Sequence, residues 1–219
     1  MSILFCTPCY GGQVTMPFME SCLALQRDLT EAGVGHDFLF GANESLVQRA
    51  RNTQATTFLK TGFRKMMFID ADIEFDPESV ARLWNLDADV AVGLYPMKKE
   101  GCPLAAWVGG RMIDLKDCPD QPFPVDYAGT GFMMIDRRVF ERFQASYPER
   151  WHDEGIVGMS FAYFNPRVER FGKRESGADD RVYLSEDYSF CRDWRTLGGE
   201  ILADPGIKLT HWGVHAYRA

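Results

Sequence analysis

The stretch Lys65-Met66-Met67-Phe68-Ile69-Asp70-Ala71-Asp72-Ile73 constrains this chain most, because an apolar run that fits only a buried strand ends in two carboxylates spaced i and i+2. Open α/β sheets present ligands at the carboxyl ends of their parallel strands. Paired carboxylates there repel one another unless a divalent cation, a proton or bases intervene. Asp70 and Asp72 are therefore candidate metal ligands. Solvated loop acids or helix caps are the other readings of a D-x-D triplet.

The neighbouring segments alternate between strand and helix. Ile3 to Thr7 reads as a first strand, a Gly11-Gly12 loop follows, and a helix runs from about Thr15 to Ala32 with Pro17 near its start and Gly33 past its end. His36 to Phe40 reads as a second strand. Asn43 is then expected to cap a helix that carries Leu46, Val47, Ala50, Thr53 and Ala55 on its apolar side. Asp76-Pro77-Glu78 opens the next helix, and Ala88 to Leu94 supplies a fourth strand. This rhythm predicts an α/β fold, Rossmann-like, with a mostly parallel central sheet covered by helices on both sides. After Tyr95-Pro96 the pattern becomes mixed. Ala105 to Leu115 reads as a hairpin about Gly109-Gly110, Phe132 to Ile135 as a buried strand, and Ser185 to Leu197 as a helix capped by Ser185 and closed by Gly198-Gly199; short strands near Ile201 and Lys208 follow.

No Pro-, Gly- or Ser-rich linker divides the 219 residues, so 1–219 is expected to form one domain, with 1–95 as a nucleotide-binding half and 96–219 as an acceptor and catalytic half. A formal charge of -7 argues against a nucleic-acid surface, which needs clustered Lys and Arg on one face. Lys98-Lys99 and Arg137-Arg138 read as solvated basic pairs. The apolar runs are far too short to span a membrane, and Met1-Ser2-Ile3-Leu4-Phe5 carries no secretory signal, which predicts a cytoplasmic protein. Six scattered cysteines (Cys6, Cys9, Cys22, Cys102, Cys118, Cys191) suit reduced thiols. The C-x-x-C of Cys6 and Cys9 lies at a strand end, without a second pair or clustered histidines to complete a zinc site.

Three distant features form one constellation if the chain folds this way: Asp70-Ala71-Asp72, Glu186-Asp187 opening the late helix, and His211 near the end. Carboxylates with an imidazole suit Mn²⁺, or Mg²⁺ with more water. Together with the opening strand Phe5-Cys6-Thr7-Pro8-Cys9-Tyr10, the helix segment Arg49-Ala50-Arg51-Asn52 and Gly129-Thr130-Gly131-Phe132, these motifs resemble, in order and over nearly the whole chain, the GT-A nucleotide-sugar glycosyltransferases of the family 2 type.

The resemblance implies that Asp70, Asp72 and His211 hold a divalent ion on the diphosphate of a sugar nucleotide, uridine-linked in the first instance. Such an ion would offset the charge that grows on the leaving oxygen. Arg49 or Arg51 would add a positive contact to the phosphates or base, with an exposed ion-paired helix face as the other reading. The resemblance places Thr7, Pro8 and Tyr10 at the base and ribose; Tyr10 could equally be packing. It makes Ala71 part of the donor loop. Asp187 becomes the base that takes the acceptor's proton, with Glu186 beside it, although acids in a first helical turn also serve the helix dipole. Gly129-Thr130-Gly131 would shape the sugar pocket, and His215 is the fallback ligand. The segment Trp151 to Asp180 is a candidate lid.

The expected activity is thus metal-dependent transfer of a hexose-type sugar, with inversion, to a glycan or other hydroxyl-bearing acceptor. Three rivals remain. In a haloacid-dehalogenase-like phosphatase the first aspartate would be a nucleophile near the N-terminus, followed by a Gly-Thr-type loop; here Ile73-Glu74 follows. A nucleotidyltransferase of the sugar-nucleotide type would carry a Gly- and Lys-rich N-terminal phosphate loop. A non-catalytic nucleotide-sugar or glycan binding module would keep the acids as structure.

Overall fold

The strands and helices β1 (Ser2–Cys9), α1 (Met16–Glu31), β2 (Gly35–Ala42), α2 (Val47–Leu59) and β3 (Lys65–Ile69) open a computed structural model that describes residues 2–99, 103–155, 158–173, 179–213 and 215–218. β1 pairs parallel with both β2 and β3, as the alternating pattern requires. Side chains along β1 and β3 pack to both faces: Ile3, Phe5, Met67 and Ile69 join one core cluster, and Leu4, Cys6, Met66 and Phe68 join another. A strand covered on both sides has no polar face, which is why Met66 to Ile69 reads as an unbroken apolar run.

Thr15 caps α1 by accepting the Phe18 N–H at 3.4 Å, Pro17 sits in the first turn, and Gly33 ends the element at φ 65°. Asn43 does not cap α2. It adopts φ 64°, a left-handed turn conformation that Asn tolerates, and the helix begins at Val47 with Leu46 at the N-cap position and no side-chain cap.

β4 (Ile73–Glu74), α3 (Pro77–Asn85) and β5 (Val90–Gly93) complete the first half. The second half contains β6 (Ala106–Val108), β7 (Arg111–Met112), β8 (Phe123–Pro124), β9 (Tyr127–Ala128), β10 (Phe132–Asp136), α4 (Arg137–Ser146), β11 (Trp151–Asp153) and β12 (Met159–Phe161). It ends with β13 (Arg167–Lys173), β14 (Asp179–Leu184), α5 (Glu186–Thr196), β15 (Ile201–Asp204), β16 (Thr210–Trp212) and β17 (Ala216–Arg218). The central sheet has the order β2-β1-β3-β10-β5-β15-β8. In it β2, β1, β3, β5 and β15 run one way, and β10 and β8 run against them. The α/β class and mostly parallel sheet follow the sequence pattern. The fourth strand, however, does not lie beside the third, because β10 inserts between β3 and β5.

Phe18, Leu25, Val80 and Leu83 of α1 and α3 cover one face; Phe58, Phe140, Phe143, Phe190 and Trp194 of α2, α4 and α5 cover the other. The expected hairpin is β6–β7, with Gly109 and Gly110 at φ 58° and 77° in a two-residue turn whose twist suits paired strands. α4 had no counterpart in the sequence pattern, and Arg137 is not a solvated residue. Its guanidinium donates to the carbonyls of Phe58, Leu59, Thr61 and Phe63 and lies 4.6 Å from the Phe58 ring centroid, closing the C-terminal end of α2. The strand expected near Lys208 begins only at Thr210.

Two antiparallel hairpins, β11–β12 and β13–β14, occupy much of the segment from Trp151 to Leu184. Gly177 of that segment, and Cys102, lie outside the described residues. The described cysteines are free thiols, and burial pushes the thiols of both Cys6 and Cys9 up. Among the described residues no helix is long and apolar enough to cross a membrane.

Candidate functional site

Asp70, Ala71 and Asp72 form the turn that leaves β3, and three separate parts of the chain hold its backbone. Asp70 N–H donates to Gly131 C=O at 2.9 Å. Ala71 C=O accepts the Thr15 N–H at 2.9 Å and the Thr15 hydroxyl at 3.3 Å. Asp72 C=O accepts the Trp212 N–H at 2.8 Å, and β16 continues the contact by pairing antiparallel with β4, His211 opposite Ile73. Residues far apart in sequence thus fix the positions of both carboxylates before any ligand arrives.

Each carboxylate has its own cation. Asp70 Oδ1 accepts from the buried Arg51 guanidinium at 2.9 Å, and Arg51 Nε lies 3.6 Å from Glu186 Oε1. Arg51 therefore joins the end of β3 to the start of α5, while its Nη1 has no hydrogen-bond partner among the described residues. Asp72 Oδ2 accepts from Lys98 Nζ at 2.5 Å, and its Oδ1 faces His211 Nε2 at 3.4 Å. Burial works to raise the Asp72 pKa, but His211 and Lys98 outweigh it and hold the carboxyl below its usual range.

Among the described residues no group of three or more His, Cys, Asp and Glu side chains is drawn together as a metal cage. The donor chemistry nonetheless fits an ion whose coordination a substrate completes. His211 Nδ1 donates to Pro96 C=O at 2.9 Å, which leaves Nε2 facing Asp72 Oδ1 at 3.4 Å, where it either shares a proton with that carboxylate or offers a lone pair to a cation. An imidazole nitrogen and a carboxylate so opposed favour a proton or a cation between them, and Mg²⁺-type ions are commonly held by one or two carboxylates plus phosphate oxygens.

Asp187 lies behind this row. Ser185 occupies the N-cap position of α5, but its hydroxyl does not accept from the helix backbone; it donates instead to Asp187 Oδ1, which also accepts the Tyr188 N–H at 2.8 Å. Burial, with Glu186 adding repulsion, pushes the Asp187 carboxyl up to about 6. Burial, then the charges of Asp70 and Asp187, raise the Tyr95 phenol well above its usual value, and its hydroxyl accepts the Gly131 N–H at 3.1 Å. A Cβ on Gly129 would fall 2.1 Å from the Tyr95 hydroxyl, and one on Gly131 would fall 2.8 Å from that hydroxyl and 3.0 Å from Asp70 Oδ2. The Gly-Thr-Gly stretch is therefore a close approach of backbone to the site, and not a free turn.

A cleft of about 440 Å³ opens over these residues, lined by Pro8, Tyr10, Arg51, Asp70, Asp72 and His211 among others. Ala71 lines it too, while Thr7 is buried within β1 and is not among the lining residues. Of the two arginines, Arg51 faces the cleft; Arg49 pairs with Glu44 at 3.3 Å on the surface. Lys98 and Tyr95 went unassigned in the sequence reading, and Lys98 is not merely solvated. Tyr95 to Lys98 follow β5, and position just beyond the carboxyl end of a strand is the signal that could have found them.

No protein-family model matches the sequence, and no curated protein matches it. Among solved structures, the chain is similar to A197 from STIV, with a TM-score of 0.57 and 19% identity over 97% of this chain and 86% of that one. It is also similar, more loosely, to the inositol-1-phosphate CTP transferase from T. maritima (TM-score 0.44, 11% identity, 97% of this chain and 89% of that one). A glycosyltransferase involved in glycosylation of the major capsid of PBCV-1 aligns at TM-score 0.39 and 8% identity, over 68% of this chain and 66% of that one. At 19% identity the first similarity speaks for the fold alone.

Proposed function

We propose that the chain is a GT-A glycosyltransferase of the family 2 type, moving a hexose-type sugar from a nucleoside diphosphate, uridine-linked in the first instance, to an acceptor hydroxyl with inversion. The observation that carries this reading is the junction made by Arg51, which ties Asp70, leaving β3, to Glu186, opening α5, 116 positions further on, as 70 to 186 counts. A transferase of this kind needs a charged seat for a leaving diphosphate and a base within reach of it, and the two motifs that supply them meet at one side chain.

In the proposed reaction the acceptor oxygen attacks the anomeric carbon. The bond from that carbon to the diphosphate breaks with its electron pair on the phosphate oxygen, and the acceptor's proton passes to the Asp187 carboxylate. Both hydrogen bonds to Asp187 fall on Oδ1, which orients the group and leaves Oδ2 to receive the proton. A pKa near the working pH makes a carboxylate an effective base, because it is ionised yet still basic. Asp70, Asp72 and His211 are the residues that would hold Mn²⁺ or Mg²⁺ together with phosphate oxygens, and the ion would supply positive charge to the leaving group. Pro8 and Tyr10, at the mouth of the cleft, would bound the nucleoside, and Arg51 Nη1 remains as a donor.

The test is release of nucleoside diphosphate from a set of nucleotide sugars with Mn²⁺, repeated with Asp72→Ala. Loss of about 10²–10³-fold in turnover is expected, the scale of removing one electrostatic stabiliser. Undiminished turnover in the variant would refute the metal assignment. Saturable nucleotide binding with no turnover would favour a binding module, and pyrophosphate release from a nucleoside triphosphate and a sugar phosphate would favour a nucleotidyltransferase.

A further inference from the structure

A second hollow, of about 330 Å³, lies beside the first turn of α5 and is lined by Trp107, Tyr127, Phe171, Asp180, Tyr183 and Tyr188 among others. Its volume falls in the range of about 300–1,000 Å³ typical of small-molecule sites. Resting on the transferase reading above, we propose that this hollow is the acceptor site and that it takes the pyranose ring of an uncharged glycan.

Position is the first reason. Glu186, Asp187 and Tyr188 are consecutive on one helical turn, where side chains fan out by about 100° per residue. Glu186 reaches Arg51 of the charged cleft, and Tyr188 lines the hollow. Asp187 comes between them on that turn and interacts with Arg51 and Tyr95 on the cleft side, so a ring seated in the hollow would lie on the opposite side of the proposed base from the donor.

Chemistry is the second reason. Tyr183 is 67% exposed and Phe171 41%, too much aromatic surface for packing alone. Tyr127 and Tyr188 meet at a 45° tilt with ring centroids 5.5 Å apart, and the Tyr188 hydroxyl accepts Trp107 Nε1–H at 3.2 Å, which leaves its own proton to donate. Flat apolar faces with hydroxyls at their edges match a pyranose ring, whose C–H faces are apolar and whose rim is hydroxylated. Charge is the third reason. Arg192 over Phe171 is paired with Glu169 at 2.8 Å, and Arg195 over Tyr127 is paired with Asp126 at 2.6 Å. With those cations neutralised in place and the Asp180 carboxylate in the lining, the hollow does not select an anion, which sets it apart from the cleft and favours a ligand without negative charge.

The experiment is a printed array of neutral glycans probed with the intact protein, without nucleotide, followed by fluorescence titration of each retained glycan. Saturable binding is expected, weakened about 3- to 10-fold in Tyr183→Ala and in Trp107→Phe, the scale of one aromatic or hydrogen-bond contact. Tyr183 is exposed enough that its loss leaves the core intact. An array with no neutral glycan retained, binding unchanged in both variants, or retention confined to acidic glycans would overturn the proposal. Glycan binding by a protein that releases no nucleotide from any sugar donor would keep the pyranose site and remove the catalytic reading, whereas the reverse result removes the pyranose site alone.

Discussion

The cleft at the end of β3 and the hollow beside the start of α5 are built from opposite materials although one helical turn borders both. In the cleft, the carboxylates of Asp70 and Asp72 are each held by a cation, Arg51 and Lys98. In the hollow, aromatic rings make up most of the lining beside the Asp180 carboxylate, and the nearby arginines are paired away to Glu169 and Asp126. A charged ligand would find in the first a network that must rearrange to admit it. A neutral ring would find in the second a surface that needs only to lose water. The difference teaches how, in the proposed transfer, charge would separate the donor from the acceptor, with Asp187 at the border.

The border residue offers the largest effect. Asp187→Asn keeps size and shape but removes the proton acceptor, and transfer should fall by about 10²–10⁴-fold, the usual share of a general base. Nucleotide and glycan binding, measured separately, should stay near wild type. A pH profile sharpens the contrast. Asp187 is surrounded by Glu186, Arg51, Tyr95, the Ser185 hydroxyl and the Tyr188 N–H, and its carboxyl sits at about 6. A base must be ionised, so transfer should decline as pH falls through about 6, while binding of a neutral glycan stays flat across that range. A glycan affinity that followed the same acid limb would mean that ligand binding, rather than the proton transfer, senses Asp187.

Gly131→Ala comes next and should injure one region only. The added Cβ would meet the Tyr95 hydroxyl at 2.8 Å and Asp70 Oδ2 at 3.0 Å, and Tyr95 is buried and cannot swing clear. Overpacking of this kind costs about 1–3 kcal/mol. Expected results are a lower melting temperature and nucleotide binding weakened about tenfold or more, a factor that corresponds to 1.4 kcal/mol. Glycan binding in the hollow should be unchanged; equal loss at both places would mean that cleft and hollow are one cooperative unit.

The two regions also differ in how far the sequence revealed them. The β3 run showed itself because a strand buried on both faces must be apolar throughout, so the acids that end it stand out against it. Glu186-Asp187 and His211 became visible through their order along the chain. The hollow had no such signal: Trp107 and Tyr127 come from one small sheet, β7-β6-β9, and Phe171 and Tyr183 from another, β13-β14, and no spacing in the sequence brings the two sheets together. Lys98 and Arg137 were misjudged for a related reason. A basic pair looks solvated until the fold sets a carboxylate or a helix end beside it, and neither Asp72 nor the last carbonyls of α2 can be placed near those residues from spacing alone. The Asn43 cap failed because a turn and a helix start draw on the same residue type.

Lys98→Ala tests the smallest effect and the most specific claim about the cleft. The Lys98–Asp72 pair is about one-third exposed on each side, at 36% and 31%, so solvent screens it. Pairs of this kind contribute about 0–1 kcal/mol, and the melting temperature should hardly move. Metal binding should respond instead. Lys98 occupies one of the two Asp72 oxygens that a divalent ion would use, and an ion must displace it. Removing a competitor of that strength should tighten Mn²⁺ binding, measured by electron paramagnetic resonance without nucleotide, by about 1.5- to 5-fold. Asp72→Asn should weaken the same binding, because the lost charge belongs to the site itself. Weaker Mn²⁺ binding in Lys98→Ala would show that the ammonium helps to assemble the site, and the view of the cleft as two carboxylates each held by a displaceable cation would then fail for Asp72.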